Sequence, residues 1–249
     1  MKVSVLGMGY VGCVTAACLA KSGHDVVGVE VQREKVEILN SGAAPFLEPG
    51  LSDLIAEQVR AGRMQATTDP VAAVMGTEIS LICVGTPSLP SGQLDSSAVE
   101  SVCRQIGEAL RGKSDFHTLV IRSTVLPGTL ERCVTIIESA SGKTHDADFA
   151  LTFNPEFLRE GTALDDFWKP PFTVVGATRR QDAERVARLY ESLPAPVYLT
   201  EPGTAQMVKY ASNLYHATKI VFANEVGRVC KAAGIDSHAV MEIFCKDPK

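Results

Sequence analysis

Hydrophobic and polar positions along the chain follow two alternating periods. "KVSVLG" is a short β-branched run ending in glycine, and "YVGCVTAACLAKSG" behind it is rich in small helix formers and closes on glycine. "HDVVGVEV" is a second buried-strand pattern, so strand, glycine turn, helix and strand follow within about thirty residues, which predicts a βαβ unit. "REKVEILNSG" and "GLSDLIAEQVRAGR" read as helices on either side of the turn "FLEPG", and "MQATT" as a short strand. "DPVAAVMGT" predicts a short helix with proline in its first turn. "ISLICVG" is continuously apolar, as a strand covered on both sheet faces is. "DSSAVESVCRQIGEALRG" predicts an amphipathic helix opened by Asp and Ser caps. "HTLVIRST", "DFALTFN", "FTVVGA" and "APVYLT" read as strands, "GTLERCVTIIESASG" and "RRQDAERVARLYESL" as helices.

Strands alternating with helices predict an α/β fold, a doubly wound Rossmann-type parallel sheet over residues 1–201. After "TEPG" the pattern changes. "TAQMVKYASNLYHATKIVFANEVGRVCKAAG" is helical throughout, long for a globular helix, and "DSHAVMEIFC" starts another. The second expected domain, 202–249, is thus a long helix and the start of a helical region. The 204–234 helix is a candidate homodimer interface.

The rest of the composition narrows the class. A net charge of −5 argues against nucleic-acid or anionic-membrane partners. The seven cysteines form no C-x-x-C pair and no Cys/His cluster, so no metal site is expected and the thiols suit a reducing, cytoplasmic setting. Val3 to Ala20 is uncharged and invites a signal-peptide or membrane reading. Its glycines argue otherwise.

Those glycines form "GMGYVG", a G-x-G-x-x-G motif at Gly7, Gly9 and Gly12. The first permits a tight turn, the second lets backbone approach a diphosphate, and the third lets helix pack on strand. The amide groups at the helix start then receive the phosphates. Glu30 follows about 20 residues on, at the end of the second strand, where a carboxylate accepts from ribose hydroxyls and repels a 2′-phosphate. NAD is therefore expected over NADP, with Arg33 as the residue that weakens the argument. Thr86 and Pro87 of "CVGTPS", and Ser123 and Thr124 of "RSTVLPGT", stand at two further strand ends, where ligands of open α/β sheets bind. They serve equally well as ordinary turn residues.

"GMGYVG", "CVGTPS", "RSTVLPGT", "NPEFLREG" and "KYASNLYHATKIVFANE" together resemble the UDP-glucose/GDP-mannose dehydrogenases, in order and over the whole chain. "RSTVLPGT" and "NLYHATKIVFANE" resemble the GDP-mannose branch more. The resemblance implies an NAD-dependent oxidation of a sugar C6 alcohol to a carboxylate in two hydride transfers, with GDP-mannose as the favoured sugar nucleotide and UDP-glucose as the alternative. It implies that Gly7, Gly9, Tyr10, Val11, Gly12, Glu30, Thr86, Pro87 and Thr124 serve the cofactor. It gives Glu156, Lys209, Asn213 and Thr124 to catalysis, and Glu156, Phe157, Leu158, Lys209, Asn213, His216 and Asn224 to the substrate.

Alcohol oxidation needs an acceptor for the hydroxyl proton, and a lysine with an amide near the developing oxyanion stabilises it. At about 100° per residue, Lys209, Asn213, His216 and Asn224 fall within roughly 80° of arc on one helix. Their neighbours are mostly apolar, which favours a lined pocket over a solvated face. "NPEFLREG" alone reads as an Asn-Pro turn into a short helix, with Glu156, Arg159 and Glu160 in local pairs.

One feature of the family is missing. Its nucleophilic cysteine lies in G-x-C-x-x-K-D, and none of the seven cysteines stands in that setting. "CKD" at Cys245 lacks the glycine and the spacer, so Cys245 is expected on the apolar face of the last helix. The expectation is an amino-terminal part of a sugar-nucleotide dehydrogenase, inactive alone. A noncatalytic NAD-binding dimerising module and a hydroxyacid dehydrogenase of the long-helix type are the other readings, the latter opposed by "NPEFLREG".

Overall fold

A computed structural model describes residues 1–247; the last two residues of the expected 202–249 domain lie outside it. The chain forms two compact units, Met1–Met207 and Val208–Lys249.

The first unit is an 8-stranded sheet in the order β3-β2-β1-β4-β5-β6-β7-β8. The strands are β1 (Lys2–Leu6), β2 (Asp25–Val29), β3 (Met64–Thr67), β4 (Ile79–Ile82), β5 (His117–Ile121), β6 (Phe149–Phe153), β7 (Thr173–Gly176) and β8 (Val197–Thr200). Their crossovers are α1 (Tyr10–Lys21), α2 (Arg33–Asn40), α3 (Leu51–Arg60), α4 (Pro70–Met75), α5 (Ser97–Leu110), α6 (Thr129–Ser141), α7 (Ala163–Trp168) and α8 (Arg180–Ala187). From β1 to β6 every pairing is parallel. The doubly wound sheet is thus present, with one difference from an all-parallel reading. β7 meets β6 antiparallel through the single pair Phe153↔Gly176, and β8 runs parallel to β7. "FTVVGA" and "APVYLT" are apolar runs like the others, and strand direction leaves no mark in such a run.

β4, β5 and β6 are buried along their whole length, because helices cover both faces. α1 is buried from Gly12 to Ala20. Its small side chains let it lie close on the sheet, which explains a composition with little amphipathic contrast. Asp69 caps α4 by accepting from Ala72 N at 3.0 Å. A string of polar groups crosses the buried centre: His117 Nε2 lies 2.8 Å from Ser80 Oγ, which lies 2.6 Å from Ser4 Oγ.

The long helix α9 is Pro202–Ala233 and ends at Gly234, whose φ of +68° suits glycine. In the second unit α10 (Ser237–Phe244) is capped by Asp236, which accepts from His238 N at 2.9 Å. Phe222 and Phe244 pack with ring centroids 5.4 Å apart. Cys245 is exposed and lies one residue past the end of α10, rather than within its apolar face. Among the described residues no helix is long and apolar enough to cross a membrane.

Candidate functional site

The glycine turn sits where β1 hands over to α1. Gly7 has φ +96° and its amide donates to Val29 O at 2.9 Å, which fixes the turn against β2. A Cβ on Gly12 would lie 1.9 Å from Gly7 O, so only glycine lets helix and turn approach this closely. At Gly9 a Cβ would meet nothing within 4 Å, and no side chain caps α1. The turn therefore offers an open face and an uncapped helix start, which suits a diphosphate. Glu30 follows β2 and is buried at 8% exposure; its Oε1 accepts from Gln32 N at 3.1 Å. An open turn, an uncapped helix and a carboxylate at the end of β2 fit a dinucleotide.

A cleft of about 260 Å³ opens beside this turn at the carboxyl ends of β1, β4 and β5. It brings together Gly9, Tyr10, Val11, Thr86, Thr124 and Glu156. Gly7 and Gly12 form the turn behind it, and Pro87 is exposed. Ser123 supports the wall by donating to Val84 O at 2.6 Å. Burial pushes the Cys83 thiol at this wall up to about 12, so it stays protonated.

Glu156 lies on a loop that leaves β6 at Asn154. The expected short helix does not begin at "NPEF". The chain stays irregular there and turns helical only at Ala163. Pro155 withholds an amide, and the Glu156 carboxylate accepts from Leu158 N at 2.7 Å. Arg159 pairs with Asp166 at 2.6 Å, a residue outside the motif, in place of the expected pairing within it. Phe157 packs edge-on to Phe172, with centroids 5.3 Å apart. A second cavity of about 70 Å³ lies under the loop, and Arg122 and Glu156 border it as well as the cleft.

Both ends of the loop are fastened by residues that the sequence did not single out. At its start, Asn154 Oδ1 accepts from Arg122 Nη1 at 2.5 Å and from the Tyr190 hydroxyl at 2.6 Å, while Asn154 Nδ2 donates to Val174 O at 2.7 Å. At its end, the Glu48 carboxylate accepts from Gly161 N at 2.8 Å and Ala163 N at 2.9 Å. It also accepts from the Tyr10 hydroxyl at 2.7 Å. Burial alone would raise the Glu48 carboxyl, but the bonds from Tyr10, Gly161 and Ala163 outweigh it and hold it below the ordinary range. Arg122 carried a weak signal, a lone charge at the end of an apolar strand. Glu48 carried none, since "FLEPG" reads as any turn.

Lys209, Asn213, His216 and Asn224 all lie on α9 beyond Met207, and their places are given on that helix alone. Lys209 is buried at 6% exposure, whereas Asn213, His216 and Asn224 are exposed.

Residues 1–194 match the NAD binding domain of the UDP-glucose/GDP-mannose dehydrogenase family, and residues 203–249 match its central domain. The GDP-mannose 6-dehydrogenase of Azotobacter vinelandii is 48% identical over 250 residues, covering 100% of this chain and 57% of that protein. A UDP-glucose 6-dehydrogenase of Haloferax volcanii is 40% identical, covering 100% of this chain and 59% of its own. A ternary complex of the GDP-mannose dehydrogenase from Pseudomonas aeruginosa superposes with a TM-score of 0.96 at 46% identity, over 100% of this chain and 57% of that one. The chain thus spans somewhat over half the length of the curated relatives it matches. The chain belongs to the UDP-glucose/GDP-mannose dehydrogenase family, and its first unit carries that family's NAD-binding fold.

Proposed function

We propose that the chain is the cofactor-binding part of an NAD-dependent sugar-nucleotide 6-dehydrogenase, acting on GDP-mannose to give the mannuronate. The observation that carries this is the cleft in which the glycine turn, Thr86, Thr124 and Glu156 share one wall. Bound there, NAD would accept hydride from the C6 carbon of the sugar. The chain's own residues divide the remaining work. The uncapped start of α1 holds the diphosphate and Glu30 the adenosine ribose. Glu156 handles the proton at C6 or orders a water there. Lys209 and Asn213 stabilise negative charge on the C6 oxygen, while Phe157, Leu158, His216 and Asn224 help hold the sugar. The GDP-mannose 6-dehydrogenase relative at 48% identity favours mannose over the glucose alternative, whose relative stands at 40%.

In this reading residues 1–201 are the cofactor domain and 202–249 belong to a helical domain that pairs two copies along residues 204–234. Leu214, Tyr215, Ile220 and Val221 on α9, each at least half exposed, support that pairing. Free thiols support a reducing cytoplasm.

Calorimetric titration tests the reading. NAD should bind more tightly than NADP, and Glu30→Ala should weaken NAD. Equal affinities, or an unaffected variant, would sink it. Assayed with GDP-mannose and NAD, this chain should form no uronate, because none of its cysteines stands in the family's nucleophile motif.

A further inference from the structure

We propose that Glu48 is a positioning residue that ties the loop carrying Glu156 to the turn that receives the dinucleotide. The inference rests on reading that loop and that turn as two parts of one site.

Glu48 lies between α2 and α3 and is 6% exposed. Its donors come from two distant stretches of chain. Tyr10 is the first residue of α1 and lies inside the glycine motif. Gly161 and Ala163 close the Glu156 loop and open α7. The Tyr10 hydroxyl also reaches Arg159 O at 3.1 Å, so its one proton is shared between Glu48 and the loop backbone. Only an ionised carboxylate, with two oxygens and no proton, can take donors from three sides without conflict. Burial first, then Glu48 itself, push the Tyr10 hydroxyl upward, so it remains a donor.

The loop is braced from within. Arg159 forks onto Asp166 through Nε at 3.1 Å and Nη2 at 2.6 Å, and Arg159 N donates to the same carboxylate at 2.9 Å. A loop braced in this way moves with whatever holds its end. Glu48 joins that end to the first turn of α1. Fixing the backbone at Tyr10 by a bound dinucleotide therefore also fixes the segment that presents Glu156.

Hydrogen–deuterium exchange with and without NAD tests this on the chain and on Glu48→Ala, Glu48→Gln and Tyr10→Phe. In the unaltered chain NAD should slow exchange at residues 158–163 as well as at the glycine turn. In Glu48→Ala the Gly161 and Ala163 amides should exchange about tenfold faster or more, since bonds to a charged acceptor are lost. NAD should then no longer protect the loop, while amides of β1, β4 and β5 keep their rates. Glu48→Gln, which retains one acceptor oxygen, should restore part of the effect. Tyr10→Phe should leave Gly161 and Ala163 slow and still cut the protection that NAD confers on the loop.

Unchanged loop exchange in Glu48→Ala would overturn the proposal. So would acceleration spread evenly over the strands, which marks a merely structural role, or full NAD protection of the loop in Tyr10→Phe. A chain that bound no NAD would sink the cofactor reading, and the NAD-free comparison of variants would still decide whether Glu48 holds the loop.

Discussion

Arg122 donates to Asn154 at 2.5 Å, joining the end of β5 to the start of the Glu156 loop. Arg122 is only 5% exposed, and its Nη1 donates to the Asn154 carbonyl and to the Tyr190 hydroxyl. Asn154→Ala should therefore leave a buried cation short of an acceptor and cost about 3 kcal/mol. Urea unfolding measures the loss. The double variant Arg122→Met, Asn154→Leu should lose less than Asn154→Ala, because it removes the charge together with its acceptor.

Gly12→Ala should destabilise the first unit by about 2 kcal/mol or more and weaken NAD, since the new methyl would lie 1.9 Å from Gly7 O. Gly9→Ala should change stability little, because its Cβ position is open, and weaken NAD all the same. Thermal unfolding separates the two variants and calorimetry unites them.

His117 lies in the buried centre, and burial lowers its pKa to about 3, with Lys113 adding to the effect. The folded protein then keeps this ring neutral while the unfolded chain takes up a proton below about pH 6.5. Its contribution to stability is complete above that pH and is lost as pH falls from about 6.5 toward 3. Within the window the slope is about 1.4 kcal/mol per pH unit. Unfolding free energies at pH 7.5 and pH 5 should differ more for the unaltered chain than for His117→Asn.

Cys245 is exposed and the other cysteines are buried. Burial pushes the Cys13 and Cys18 thiols up to about 12. A disulfide reagent should label one thiol rapidly in the folded chain and all seven in urea. Cys245→Ser should abolish the fast phase and leave NAD affinity unchanged.

The fold was legible because each βαβ segment carries its own period. "KVSVLG" and "ISLICVG" are apolar for as long as a strand lasts, and glycine or proline marks each stop. The reversal at β7 was not legible, because Thr173–Gly176 is as apolar as any parallel strand. Gly9, Thr86 and Thr124 were legible as strand-end and turn residues that converge at the carboxyl edge of the sheet. Glu48 was not, because its donors Tyr10 and Ala163 are far from it in sequence, and side-chain meetings over such separations leave no local pattern. "NPEFLREG" misled locally. Its charges suggested a self-paired helix, whereas Arg159 reached past it to Asp166.

The reversed pair at the sheet's edge has a consequence for how the chain folds. β7, α8 and β8 form a βαβ piece whose contacts are local in sequence and can close early. Its ladder pairing to the rest of the sheet is the single rung Phe153↔Gly176, beside which Asn154 reaches Val174 O and α8 packs on β5 and β6. Arg122 follows β5, Asn154 follows β6 and Tyr190 lies in the turn after α8, so their bonds form only once that piece has docked. The latch that holds the Glu156 loop should therefore assemble late in the folding of the first unit. Variants at Asn154 should speed unfolding and leave the refolding rate almost untouched.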